Sequence, residues 1–450
     1  MAAHSPKSDR YFLEKLNDFG IKLGLEKTFA LLRIFGDPQK KFLSVLIAGT
    51  NGKGSVARAL SQILHQAGYR VGLYTSPHLV DLRERIVINM RPISRELFSH
   101  TLRKLRQTVE SSPCHLTPTF FEALTVIAMT AFAEKKIEVG IVEVGMGGRF
   151  DATNVVPACL SVITSVSRDH IQYLGPTLRD IAREKAGIIK PGNPVICASH
   201  PPEVLSVIRQ VAKDRQCPIF IFGQDFSGSR KEMSLESLVF DFQGEKSFSR
   251  LKTKLVGDHQ VENLSLAVAA SLLLRQKGLY IGERDIRLGL EKVFWPARLQ
   301  LVRRKPLILL DGAHNEGGLK ALTQFLSRLL PGKRFLVLTA MLKDKEWQKM
   351  LRLLLQWNQD LAFTGLKINR GLAPELMAQQ VTRWAPGKKV MVFPETRSAW
   401  KEIKASGKDW VICGSLYLAG EILKLAGRTV FSGRKLPCRS KDIQREFSMF

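Results

Sequence analysis

An α/β architecture of two units, each built on a mostly parallel sheet, is predicted by three observations. Short apolar runs alternate with helical patterns along most of the chain. The run at 42–47 opens directly into a glycine-rich loop and then a helix. After Trp295, Pro296 and Ala297 the alternation begins afresh, so a boundary is expected there. This predicts a larger unit over 1–296, a smaller α/β unit over 297–426 and a basic, mobile tail over 427–450. A chain of 450 residues also exceeds the size at which one core keeps growing, so two to three domains are expected on length alone.

In chain order, 11–35 carries apolar positions at helical spacing, interrupted at Gly20 and Gly24, and forms a helical lead-in. The apolar run 42–47 is followed by Ala48, Gly49, Thr50, Asn51, Gly52, Lys53, Gly54 and Ser55. Glycines let backbone N–H groups turn toward an anion, Lys53 adds positive charge, and the helix predicted over 55–66 presents its positive end. Ser55 is then placed to ligate the magnesium ion that accompanies a nucleoside triphosphate. The spacing is not that of the common P-loop, because Gly54 stands between Lys53 and Ser55. From this stretch alone, an ordinary strand–helix turn is the alternative.

A buried strand over 71–75 leads into Ser76, Pro77, His78 and Leu79. An edge strand is expected over 84–89, a charged helix over 94–110 and a more apolar helix over 119–136. A strand over 138–144 delivers Glu143 to Gly145, Met146, Gly147, Gly148 and Arg149, and one over 160–165 runs into Arg168, Asp169 and His170. The helix at 177–186 carries Glu184 and Lys185 near its end. Strands at 194–198 and 219–222, separated by a helix, continue the alternation, whereas 238–242 and 247–255 read as antiparallel. A buried helix is expected over 261–274. In the second unit, strands are predicted over 307–310, 335–339, 390–393 and 410–413, with helices over 317–329, 345–355 and at the end.

Composition excludes several classes. Six cysteines without a C-x-x-C pair disfavour zinc and disulfides and point to reduced thiols in a cytoplasmic protein. The longest nearly apolar segment, 123–133, is too short to span a bilayer, and the N-terminus lacks the apolar core of a signal peptide. A net charge of +27 allows attraction to polyanions, nucleic acid included. The basic residues are spread along the chain without aromatic interleaving, which favours a solvated surface on an ordinary enzyme and no specific nucleic acid. No G-x-S-x-G elbow supports a hydrolase triad.

Ligands of open α/β sheets bind beyond the carboxyl ends of strands. Ser76, Glu143, His170 and the glycine loop each follow a predicted strand. A hydroxyl, a carboxylate and an imidazole converging near a triphosphate can hold magnesium with water completing an octahedron. For Glu143 a solvated loop acid, and for His170 a histidine packed under a loop, are the competing readings, since imidazole is an unusual magnesium ligand.

Taken together these stretches resemble the folylpolyglutamate synthase and dihydrofolate synthase family of the Mur ligase superfamily. The resemblance rests on the loop Gly49 to Ser55, on Thr75, Ser76, Pro77, His78 and Leu79, and on the run from Glu143 to Asn154. It continues through Asp169, His170, Arg183 to Ile188, and Gly257 to Asn263. In the second unit it takes in Pro296 to Gln300, Asp311 to Asn315, Met341 to Lys345, and Cys413, Gly414 and Ser415. The odd spacing around Gly54 is this family's own form of the phosphate loop.

The resemblance implies a P-loop ATP-binding domain, a smaller C-terminal Rossmann-like domain, and an ATP-dependent amide ligase. The γ-phosphoryl group would pass to a carboxylate of a pterin substrate, dihydropteroate or a reduced folate, and the amine of L-glutamate would displace phosphate from the acyl phosphate. By the same resemblance Lys53 is catalytic, Ser55, Ser76, Glu143 and His170 lie at magnesium, and Asn263, Arg298 and Asp311 contact ATP. Lys185 matches the family's carbamylated lysine, although a surface ion-pair partner is its plain reading. Thr119, Phe120, Phe121, Glu122, Arg149 and Asp151 match the pterin contacts, with core packing as the alternative for the aromatic pair. His314 and Ser415 are implied in handling glutamate or the reaction intermediate. Glu346, where many relatives have aspartate, and the tail depart from the pattern. A monomer is expected. A Mur-type ligase of muramyl substrates is the nearest rival, but about 40 residues before the loop leave no room for its usual nucleotide-sugar domain. Whether one or both folate activities are present is left open by the sequence.

Overall fold

The structure is a computed structural model that describes residues 6–17, 20, 24–112, 116–357 and 359–427. Beyond Gly427, the expected tail lies outside the described residues, as do Cys114 and Cys438. The larger sheet holds eight strands: β1 (Leu43–Ala48), β2 (Val71–Tyr74), β3 (Ile86–Ile88), β4 (Arg91–Pro92), β5 (Val139–Glu143), β6 (Leu160–Ile163), β7 (Val195–Cys197) and β8 (Ile219–Ile221). Their order is β4-β3-β2-β5-β1-β6-β7-β8, with parallel pairing from β2 to β8 and antiparallel pairing of β3 with both β2 and β4 at one edge. The central β1 lies between β5 and β6, with Ile47 opposite Glu143 on one side and Val162 on the other. The carboxyl ends of β1, β2, β5 and β6 therefore share one edge, where a switch in strand order opens a crevice.

These strands are apolar on both faces because both faces are covered. One core packs helices Glu26–Ile34, Arg95–Ser111, Phe120–Glu134, Leu178–Ala186 and Pro202–Asp214 on the sheet. The other packs Lys53–Gln66, Asp258–Arg275 and Glu283–Lys292. The Asp258–Arg275 helix is buried nearly all round, as its Ala and Leu content requires. A three-stranded antiparallel sheet, β9 (Ser227–Met233), β10 (Leu238–Gln243) and β11 (Phe248–Thr253), adds Phe240, Phe242 and Leu251 to this second core.

The smaller domain carries β12 (Gln300–Arg304), β13 (Leu307–Leu310), β14 (Leu336–Thr339), β15 (Asp360–Thr364), β16 (Val390–Phe393) and β17 (Trp410–Cys413) in the order β12-β13-β17-β14-β15-β16. Only β12 runs antiparallel. Helices Glu316–Leu329, Trp347–Gln356 and Pro374–Trp384 cover one face, and Thr396–Ala405 and Leu416–Leu425 the other. Two α/β domains on mostly parallel sheets are thus observed, as the periodicity predicted.

Several boundaries moved. The loop helix begins at Lys53, two residues before the expected Ser55, because Gly52 at φ 90° takes the N-cap position. The predicted edge strand at 84–89 is shortened to Ile86–Ile88, since Asp81 and Glu84 form a capping box on a 3-10 turn over Leu82–Arg85. The helix expected from 345 begins at Trp347.

Candidate active site

The glycine loop is fastened to the end of β6. Thr50 N–H donates to the carbonyl of Ser165 at 2.6 Å, and the Thr50 hydroxyl donates to the carbonyl of Ser167 at 3.0 Å. Thr164 Oγ1 donates to the carbonyl of Asn51 at 2.7 Å. A Cβ on Gly52 would sit 2.3 Å from Asn263 Oδ1, and one on Gly54 would sit 2.8 Å from the indole nitrogen of Trp295, so side chains are excluded at both positions. Ser55 ends this turn, and its Oγ accepts from Gln260 Nε2 at 3.4 Å while Gln260 Oε1 accepts from Asn263 Nδ2 at 3.1 Å.

Two lysines, the half-buried Lys53 and the buried Lys185, converge on the loop. Lys53 Nζ donates to the carbonyls of Gly49 at 3.0 Å and Thr50 at 3.1 Å. Lys185 Nζ donates to the same Gly49 carbonyl at 2.9 Å. Lys185 is therefore not a surface residue: it is 4% exposed, and burial together with the charge of Lys53 lowers its pKa to about 7. Burial also lowers that of Lys53, against the pull of Glu143 and Asp169. Glu143, at the end of β5, is buried too, which raises its pKa. The charge of Lys53 and the N–H of Ser76, donating to Glu143 Oε2 at 3.2 Å, work the other way.

His170 sits in the left-handed region at φ 51° and starts the short helix Ile171–Leu174. Burial and then Lys345 lower its pKa to about 4, which leaves a neutral imidazole at pH 7. Lys345 reaches from the smaller domain with Nζ 2.7 Å from Asp169 Oδ1 and 3.3 Å from His170 Nε2. Burial of Asp169 favours protonation, yet Lys345 and His170 hold its carboxyl well below the usual range. A second bridge lies alongside: the amides of Asn51 and Asn315 exchange hydrogen bonds at 3.3 and 3.0 Å. In the linker, Ala297 and Leu299 both have left-handed backbones, at φ 53° and 46°. Asp311 holds that crank, accepting from Leu299 N–H at 2.7 Å and Ala313 N–H at 2.8 Å, and Arg298 lies between.

The Mur ligase middle domain family matches residues 47–271, and the dihydrofolate synthetase C-terminal domain family matches 297–425. The chain is 36% identical over 422 residues to the dihydrofolate synthase/folylpolyglutamate synthase of Bacillus subtilis, covering 90% of this chain and 95% of that one. The chain belongs to the dihydrofolate synthase/folylpolyglutamate synthase family. The Escherichia coli member is 32% identical over 417 residues, covering 92% of this chain and 94% of that one. A crystal structure of Mycobacterium tuberculosis folylpolyglutamate synthase complexed with ADP and AMPPCP superposes with a TM-score of 0.87 at 31% identity, covering 95% of this chain and all of that one. E. coli FolC in complex with DHPP and ADP gives 0.84 at 30% identity, over 94% of this chain and 98% of that one.

In this folylpolyglutamate synthase relative, the remaining predicted residues fall into two groups. Thr119 and Glu122 form a capping box at the start of Phe120–Glu134: Thr119 N–H donates to Glu122 Oε2 at 2.7 Å and Glu122 N–H to Thr119 Oγ1 at 3.3 Å. The ring of Phe121 stacks on Tyr74 at 5.9 Å, and the guanidinium of Arg85 lies 5.6 Å over Phe120. Asp151 accepts from the N–H groups of Met146 and Thr153, so it shapes the Gly145–Asp151 turn, while Arg149 covers the half-exposed Phe150 at 4.8 Å. In the smaller domain, His314 Nδ1 lies 2.8 Å from the carbonyl of Gly312, and burial lowers its pKa to about 4. Ser415 caps Leu416–Leu425, its Oγ accepting from Tyr417 N–H at 3.1 Å.

Not every predicted partner is brought together. Glu143 and Ser76 adjoin, but the ring of His170 faces Lys345, and no three His, Cys, Asp or Glu side chains gather into a metal-binding group among the described residues. Sequence reasoning missed the Asp169–Lys345 pair and the Asn51–Asn315 exchange. Asn315 could have been found as an N-cap before Glu316–Leu329, but its partner lies 264 residues away and leaves no local signal.

Proposed function

We propose that this protein is a bifunctional ATP-dependent ligase that joins L-glutamate both to dihydropteroate and to a reduced folate. The observation that carries the reading is the convergence of Lys53 and Lys185 on the Gly49 carbonyl, with Glu143 beside them, at the carboxyl ends of parallel strands. The larger domain is assigned to 1–296 and the smaller to 297–426, a division supported by the new sheet that starts at Gln300.

In this reading Lys53 and the N–H groups of the first turn of Lys53–Gln66, which no helical carbonyl can serve, neutralise charge as the γ-phosphoryl group moves to the pterin carboxylate. The acyl phosphate is then attacked by the amine of glutamate, the C–N bond forms and inorganic phosphate leaves. Asn263, Arg298 and Asp311 hold the nucleotide, and Thr119, Phe120, Phe121, Glu122, Arg149 and Asp151 frame the pterin, with His314 and Ser415 facing glutamate. The oxygens of Ser55, Ser76 and Glu143 are hard donors that suit magnesium, and His170 joins them once its ring turns from Lys345. When bound, the ion draws charge from the phosphates. Carbamylation of Lys185 needs a neutral amine, and a lysine with a pKa of about 7 supplies one. The two bridges between domains support closure that shields the acyl phosphate from water. We read the enzyme as a cytoplasmic monomer with no specific nucleic acid, in keeping with its scattered basic residues. No helix among the described residues is long and apolar enough to cross a membrane.

Purified protein with ATP, magnesium and glutamate is expected to release ADP on addition of dihydropteroate and, separately, of tetrahydrofolate. Release with only one of them reduces the reading to a single activity, and release with neither overturns it.

A further inference from the structure

We infer that Arg58 anchors a carboxylate in the cleft between the phosphate-loop helix and the second domain, in addition to the site described above. Arg58 lies one turn beyond Gly54 on Lys53–Gln66 and is only 4% exposed. Its Nε and Nη1 atoms are buried and hydrogen-bond to nothing. A guanidinium so placed is costly unless an anion meets it, and its planar fork matches a carboxylate with two parallel bonds. The cleft it lines, counted with the part that opens to solvent, has about 570 Å³ of empty space, and its other walls include Thr75, Glu84, Trp295, Arg298 and Leu416. It is continuous with Ser76 and Glu143, where the acyl phosphate would form.

The class of anion follows from the walls. Two carboxylates, Glu84 and Glu143, line the same space as the two guanidinium groups of Arg58 and Arg298. Glu84 is already served by the N–H groups of Leu79, Val80 and Asp81, at 2.7, 3.0 and 2.7 Å, and so does not compensate Arg58. A doubly charged phosphate would meet both carboxylates, whereas a singly charged carboxylate carrying an ammonium group would meet neither sign unfavourably. The inference rests on the proposed reaction, which offers two carboxylates: that of free glutamate, which carries the ammonium group, and that of a glutamyl tail already on the folate, whose nitrogen is an amide and which meets Arg58 through the carboxylate alone.

The test uses full-length enzyme with Arg58→Met and Arg58→Lys. Wild type turning over with dihydropteroate or tetrahydrofolate checks the reaction itself, and only then does the comparison with the variants bear on Arg58. Removing an uncompensated buried charge is expected to leave the free enzyme melting no lower than wild type. In Arg58→Met the KM for L-glutamate is expected to rise about tenfold to a hundredfold with either pterin, with a much smaller change in kcat, and Arg58→Lys to fall between. A rise confined to the KM for tetrahydrofolate, with dihydropteroate and glutamate unaffected, supports the tail as the source. KM values all within twofold of wild type, or stabilisation by inorganic phosphate that Arg58→Met loses while any stabilisation by L-glutamate or glutarate is kept, overturn the inference.

Discussion

On the wall of the cleft formed by the larger domain, Lys53 and Lys185 aim their ammonium groups at one backbone carbonyl, whereas on the smaller domain Lys345 crosses the cleft to the carboxylate of Asp169. The first pair, half-buried Lys53 and buried Lys185, lies against neutral dipoles, and both pKa values fall. Lys345 is also buried but has a full counter-charge, and it holds the carboxyl of Asp169 well below the usual range. The contrast separates two uses of a cation. In the proposed reaction the charge of Lys53, held on backbone carbonyls, is available to an incoming anion, while charge spent on a partner carboxylate holds two domains together.

The largest effect that can break this comparison is expected from Lys53→Met. If Lys53 is held for the transferring phosphoryl group, ADP release in a steady-state assay falls about 10²- to 10³-fold with the melting temperature nearly kept. A loss of fold without a separate loss of rate would make Lys53 structural, like Lys345.

Lys185 gives the next largest. Its ordinary pKa of 10.5 in the unfolded chain and about 7 in the fold mean that, between these values, the unfolded state binds the proton and the folded state does not. Stability from this group is therefore full above the unfolded value and lost as pH falls toward about 7. Denaturant titrations at pH 7.5 and 9.5 are expected to show a wild-type gain over Lys185→Met that grows by about 2 kcal/mol across that interval. A pH-independent difference would show that Lys185 keeps its proton.

Lys345→Met leaves Asp169 without its buried counter-charge and is expected to cost about 2 kcal/mol of stability, measured by denaturant unfolding. Asp169→Asn combined with Lys345→Met should recover part of that loss, and strict additivity would show that the pair does not couple. Smallest is Thr119→Ala, which removes the N-cap of Phe120–Glu134. About 1 kcal/mol of stability should go. A larger loss in the KM for dihydropteroate would move Thr119 from helix capping to pterin contact.

The larger domain was legible in the sequence because its motifs are local. Strand, turn and helix start follow one another within a few residues at Gly49–Ser55, and the short apolar run 42–47, closed by a glycine loop, reads as a buried strand. Less legible were β9, whose residues Ser227–Met233 are polar and mostly exposed, and the helix Pro374–Trp384, whose first residue reads as a breaker although proline suits a helix start. At the site, burial reversed the plain reading of Lys185, since helical spacing alone gives a surface pair. Arg58 left no sequence signal at all, because only packing shows that its donors lack partners.

Gly54 has one more consequence. With no side chain, it lets the indole of Trp295 lie directly on the loop, and Trp295 begins the segment that leads into the second domain. In the proposed reaction, capture of a nucleotide by the loop and movement of the domains would both alter the surroundings of one chromophore. Emission from Trp295, read against a Trp295→Phe variant, offers an optical record of those two events in a single stopped-flow trace.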